Sequence, residues 1–324
     1  MSDTQKLEIL NYLPMNPGEI LSKAWQLYRR RFLNIIGYFF VPVLIFAIIF
    51  IWVNDRYYPL PLQVIFKAVQ YPEIIILAIC IIVTASFRYI RIFYNYITDQ
   101  NVTPTYLTKF VRLNIANIIK IALLVTFELT IFLILNTIVL VLVAFLINIA
   151  GTVLEQNIQN TTTFVFIALL LMLCFMVAIY IYLYVLSFQV IFCFLEIAAV
   201  SCDDIPVKYA IVIAFKIIQH NFLNYLQFVF LFANLFVFLF LNFYFISLMF
   251  LFLISMLINS VVKLPSTYTY QTVSDVFSFS LALILLWPFA MSSITMYFCD
   301  YKARKQGFDL LQRIESQKNF GNDE

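Results

Sequence analysis

Few residues in this 324-residue chain could do chemistry, and most of those stand alone. Glu128 lies inside a long apolar run, and Glu196 lies near the end of the next one. Ionisable groups are costly in such a setting, so each is a candidate intramembrane polar site. Glu128 could hold a proton or a cation on a transport path. It could equally bond to the amides of neighbouring spans (Asn136, Gln189, Asn234, Asn242), or pair with Arg88 or Arg91. Glu196 is the less unusual of the two, because it falls close to an interface.

Other candidate groups lack companions. His220, the single histidine, falls on the polar side of a short amphipathic segment, without the partners that a metal site or a histidine mechanism needs. The paired carboxyls Asp203-Asp204 precede a helix start, which assigns them to capping. Cys80, Cys174, Cys193, Cys202 and Cys299 form no C-x-x-C pair, so neither a metal site nor a disulfide framework is expected. Five glycines in the whole chain leave no Gly-rich loop to cradle a phosphate. No catalytic residue, cofactor or metal ligand is therefore assigned.

The elements that carry these residues are apolar helices. Hydrophobic residues make up 64% of the chain and charged ones 11%, far from a soluble globular composition. Several apolar runs exceed the roughly 20 residues that cross a bilayer core. Six spans are expected, at about 35–53, 73–93, 118–148, 162–198, 225–259 and 276–298. The fourth run is overlong, yet 161–200 holds neither Gly nor Pro to turn the chain. One long tilted helix is the expectation there.

Charge sets the orientation. With six spans, every Lys and Arg except Arg56, Lys67 and Lys263 falls on one side. The positive-inside rule then puts both termini in the cytoplasm. Asp3, Glu8 and Glu19 precede the first apolar run and no small-residue cleavage site follows, so no removable signal peptide is expected. The net charge of +3 is too small to suggest nucleic-acid binding.

A unit recurs along the chain. "RFLNII" (31–36) matches "NFLNYL" (221–226) and, more weakly, "NIANII" (114–119). Each copy follows a helix start: Asn16-Pro17-Gly18-Glu19, Thr103-Pro104, and Asp203-Asp204-Ile205-Pro206. In the first, Ile20, Leu21, Ala24, Trp25, Tyr28 and Phe32 share a face opposite Ser22, Lys23, Gln26, Arg29 and Arg30. In the second, Leu107, Phe110 and Val111 oppose Thr108, Lys109 and Arg112. In the third, Val207, Ala210, Ile211, Ala214 and Ile218 oppose Lys208, Gln219 and His220. Such helices lie in the headgroup layer, apolar face down and cations toward anionic lipid. Lys23, Arg29, Arg30, Arg31, Lys109 and Arg112 are thus the lipid-headgroup candidates, each adding about 1 kcal/mol against an anionic leaflet.

The last span leaves through "YFCDYKARKQGFDLLQRIE" (297–315). This ending resembles that of a broad group of prokaryotic six-span proteins related to the membrane domain attached to some glycerophosphodiester phosphodiesterases. Asp300, Arg304, Lys305, Gly307, Phe308, Asp309 and Leu310 match that group's pattern, and Gln306 stands where it prefers Glu. "LSKAWQLYRRRFLNII" (21–36) resembles its N-terminal segment. The resemblance implies a membrane domain distinct from any catalytic barrel. It carries no phosphodiesterase activity, since no barrel pattern or acidic metal cluster accompanies it.

The expectation is an all-α polytopic membrane protein, a single domain over 1–324. It has six transmembrane helices and three cytoplasmic interfacial amphipathic helices in a threefold repeat (14–100, 101–202, 203–318). Gly307 is expected to be a joint, and 318–324 a disordered tail. Membrane lipids with anionic headgroups and other membrane proteins are the expected partners, with no nucleic acid. The expected location is a prokaryotic cytoplasmic or internal bacterial membrane. A non-enzymatic scaffold, accessory subunit or lipid organiser is the leading role, and a transporter or channel-like subunit centred on Glu128 the alternative.

Overall fold

The structure is a computed structural model. It describes residues 15–30, 32, 72–98, 104–157, 161–203, 205–261 and 267–320. The expected first span (35–53), Arg31 and residues 321–324 lie outside them. All regular elements among the described residues are helices: α1 (17–30), α2 (Pro72–Ile97), α3 (Pro104–Leu113), α4 (Ile115–Asn157), α5 (Thr161–Asp203), a 3-10 turn at Val207–Tyr209, α6 (Ala210–His220), α7 (Phe222–Val261) and α8 (Thr267–Phe320).

Starts and breaks follow the local sequence. Helix α1 opens on a capping turn in which the Asn16 N–H donates to the Glu19 carboxylate at 3.1 Å. Helix α3 opens with Pro104 at its first position, where a missing N–H costs nothing. A single asparagine then separates each of two short helices from a long one. Asn114 stands between α3 and α4, and Asn221 between α6 and α7. The Asn221 side-chain oxygen caps the Asn224 N–H at 3.2 Å. Of the expected cap at Asp203-Asp204, Asp204 lies outside the described residues. Pro206 precedes the 3-10 turn with no side-chain cap bond, and Asp203 ends α5, where its charge serves an ion pair instead.

Among the described residues, four helices are long and apolar enough to cross a membrane: Ile115–Val139, Met172–Asp203, Phe222–Leu253 and Ser278–Lys305. Helix α5 runs unbroken for 43 residues, as the absence of Gly and Pro requires. At about 1.5 Å per residue it is twice the thickness of a bilayer core. Gly307 lies inside α8, which continues through it to Phe320. A lone glycine costs a helix only about 1 kcal/mol, which neighbouring helix formers easily offset.

The core forms where α2, α5 and α8 pack on one another. Its largest sealed side chains include Phe87, Tyr89, Phe93, Tyr225, Phe228, Phe289 and Phe298. Helix α8 is central, with most of its apolar stretch buried, and α7 is peripheral, with almost all of its own exposed. Phe230, Phe238, Phe245, Ile246 and Phe250 therefore face outward along α7. A soluble protein rarely exposes so large an apolar surface, and the arrangement is compatible with an integral membrane protein.

The short helices correct one expectation. Ile20, Leu21, Ala24 and Tyr28 do share a face, and Lys23, Arg29 and Arg30 are exposed opposite it. That face, however, is covered by protein and not by lipid. Met15 meets Asp300, Ala24 meets Ser292, Trp25 meets Phe289 and Tyr28 meets Leu285. One residue number rises as the other falls, so α1 runs antiparallel along α8. Helix α3 lies along α2 in the same manner, with Tyr106 at Arg91 and Phe110 stacked on Phe87. An apolar stripe cannot by itself distinguish a protein neighbour from a lipid one. On α6, Ile217 is buried while Ile211 is exposed, which shifts the expected face by part of a turn.

Candidate functional site

Two carboxyl groups meet between α4 and α5. Glu128 is half-buried on α4, and Glu196 on α5 is fully enclosed, with 0% exposure. The two side chains come within hydrogen-bonding reach of each other. The Cys193 thiol completes the cluster, donating to Oε2 of Glu128 at 3.7 Å. Both oxygens of Glu196 are sealed from solvent and make no hydrogen bond. Their surroundings are apolar, with Phe194, Leu195 and Ile197 buried alongside.

Further along the same seam, Asn136 Nδ2 donates to Gln189 Oε1 at 2.8 Å. Gln189, Cys193 and Glu196 recur at four and three residues, which lines one face of α5. This stripe is legible in the sequence. What hides it is that Cys193 reads as an inert thiol and Glu196 as an interfacial acid. Glu196 is in fact the most enclosed acid of the pair and the partner of Glu128.

Three other partners suggested for Glu128, namely Arg91, Asn234 and Asn242, bond elsewhere. Arg91 donates to the carbonyls of Ser201 and Cys202 at 2.8 and 3.2 Å, and stacks over the Phe110 ring at 4.6 Å. It thereby satisfies carbonyls at the C-terminus of α5, which otherwise lack donors. Asn234 bonds within its own helix to Phe230 and accepts from the Tyr180 hydroxyl. Asn242 bonds to Phe238.

A second polar cluster ties the helix ends together. Lys302 of α8 pairs with Asp203 of α5 and lies over the Tyr94 ring of α2. Asp300 accepts from the Met15 N–H at 2.8 Å and from Arg304 Nε at 2.7 Å. Arg304 reaches on to the Met15 carbonyl at 2.6 Å. Asp300 and Arg304, two residues of the C-terminal motif, thus clamp the entrance of α1. The Tyr28 hydroxyl donates to the Leu285 carbonyl, one turn before Pro288. Proline distorts the helical bonding of that turn, which leaves carbonyls for an outside donor. Burial pushes the Tyr28 hydroxyl above the usual tyrosine range.

The headgroup candidates occupy separate helices. Lys23, Arg29 and Arg30 are exposed on α1, and Lys109 and Arg112 on α3. His220 is exposed at the end of α6, edge-on to Tyr301 at 5.7 Å. All five cysteines are free thiols. Among the described residues no group of three His, Cys, Asp or Glu side chains forms a metal cluster. No protein-family model matches the chain, and no curated protein or solved structure matches it.

Proposed function

We propose that the chain is a six-span integral membrane protein built from three units, acting as a scaffold, accessory subunit or lipid organiser and not as an enzyme. Each unit would hold a short amphipathic helix and two long ones. The contact pattern supports this. Helix α1 packs on α8, α3 on α2, and α6 on α5, so each short helix covers the second long helix of the preceding unit, taken cyclically. The first long helices follow the same rule. Helix α4 packs on α5 and on α2, and α7 packs on α8 and on α5. The asparagine breaks at 114 and 221 fall at equivalent points of two units.

One observation carries the functional reading: long apolar faces on α4, α5 and α7 surround a packed core, with exposed cations on α1 and α3. A surface of this kind binds lipid or membrane protein. The resemblance to the six-span bacterial group fits the same layout, with both termini cytoplasmic. Native mass spectrometry after gentle extraction tests it, with retained anionic lipid or a protein partner expected. A bare chain, or one that turns over a substrate alone, refutes it. Topology is checked separately with Lys23→Cys, Lys109→Cys and Lys263→Cys, the last labelled from the opposite side.

The meeting of Glu128 with Glu196 favours a second reading, a transporter or channel-like subunit. Solute flux in proteoliposomes that is lost in Glu128→Gln supports it, and unchanged flux removes Glu128 from any such path.

A further inference from the structure

We propose that Glu128 and Glu196 form a proton-binding site that holds one proton between two helices. This deepens the second reading above and rests on it only for its use in transport. The inference stands on geometry. Glu128 of α4 accepts from the Cys193 thiol of α5 at 3.7 Å, and Glu196 lies three residues further along that face of α5, fully enclosed with neither oxygen hydrogen-bonded. Two bare charges so placed repel each other and lack solvation. A single proton removes one charge and makes its carboxyl a donor to the other, which gives one of the enclosed Glu196 oxygens a partner.

A metal cation is the weaker occupant. Calcium takes six to eight oxygens and magnesium six, whereas this pocket offers two carboxyls and a thiol lined by apolar side chains. The Cys193 thiol donates toward Glu128 and so orients that carboxyl without competing for the proton. The remaining charged and titratable groups come from the elements packed around the seam. Helix α4 carries Lys120, and α2 carries Arg88 and Arg91, the latter held by α5 carbonyls. Helix α7 brings Tyr225, committed to the Phe188 carbonyl. Helix α8 brings Tyr297, Asp300 and Lys302, the last two already paired. Lys109 and Arg112 of α3, Lys208 of the 3-10 turn, and Lys216 and His220 of α6 are exposed.

Infrared spectroscopy of the full-length protein in lipid nanodiscs tests the site, because a protonated carboxyl has its own C=O stretch. At neutral pH the wild type is expected to show such a band. Glu196→Gln should abolish it, and Cys193→Ser should shift it through a stronger donor to Glu128. A wild-type spectrum without the band overturns the proposal, and needs no variant to fold. A band that survives both Glu196→Gln and Glu128→Gln overturns it too. Flux is scored separately: a band with no proton-coupled flux keeps the site and removes the transport reading.

Discussion

Asp300 offers the sharpest test of how the short helices are held. It is 2% exposed, and its two oxygens serve the Met15 N–H and the Arg304 guanidinium. Asp300→Ala removes both acceptors at once. Breaking a buried ion pair from one side costs about 3–5 kcal/mol. Arg304 is 23% exposed, so water recovers part of that loss, leaving roughly 2–3 kcal/mol. The apolar face of α1 still holds Ile20, Ala24 and Tyr28 in the core, at about 1.5–3 kcal/mol for a large side chain. The variant should therefore fray the first turn without releasing the whole helix. The Ile20 amide, bonded to the Asn16 carbonyl at 3.0 Å, is the reporter. Hydrogen exchange in nanodiscs should accelerate there by roughly 30- to 150-fold, with tenfold for each 1.4 kcal/mol. Asp300→Asn keeps an oxygen for Met15 and should fall between. Unchanged exchange at Ile20 in Asp300→Ala would refute the clamp.

Three other outcomes follow from the same contacts. Tyr28 stays protonated in the folded protein to a higher pH than in the unfolded chain, so its stabilisation is complete below pH 10 and is lost as pH rises above it. Melting temperature should decline on that alkaline side, and less steeply in Tyr28→Phe, which should also lose about 1 kcal/mol with its hydrogen bond. Asn136→Leu should weaken the α4–α5 seam by about 0.6–1.7 kcal/mol, measured by unfolding in mixed micelles. Replacing Arg29 and Arg30 together by Gln should lower retention of anionic lipid, by about 1 kcal/mol for each charge. Fold and the exchange pattern of α1 should be unchanged, since both side chains point away from the core.

Much of this protein was legible in one dimension, where the deciding forces are local or follow from composition. Uninterrupted apolar runs specify long helices, because every backbone polar group must be satisfied within the segment. Asn16, Pro17 and Glu19 specify the start of α1, and the spacing of Ile20, Ala24 and Tyr28 marks the face that is buried. The recurring motifs "NIANII" and "NFLNYL" begin at the two helix breaks, Asn114 and Asn221. What covers that face was beyond the sequence. Lipid and protein both accept an apolar stripe, and only the packing of α1 along α8 decides between them.

Long-range pairing was hidden for the same reason. Asp203 looked like a cap but is claimed by Lys302, 99 residues away. Arg91 looked like a partner for an intramembrane acid but closes the end of α5. Glu128 and Glu196, 68 positions apart, each read as a solitary acid of different standing. The sequence by itself determined that such groups exist and that an apolar setting makes them costly. Only the tertiary structure decided that they meet, because the register of two antiparallel helices is set by side-chain packing along the whole seam and not by either helix alone.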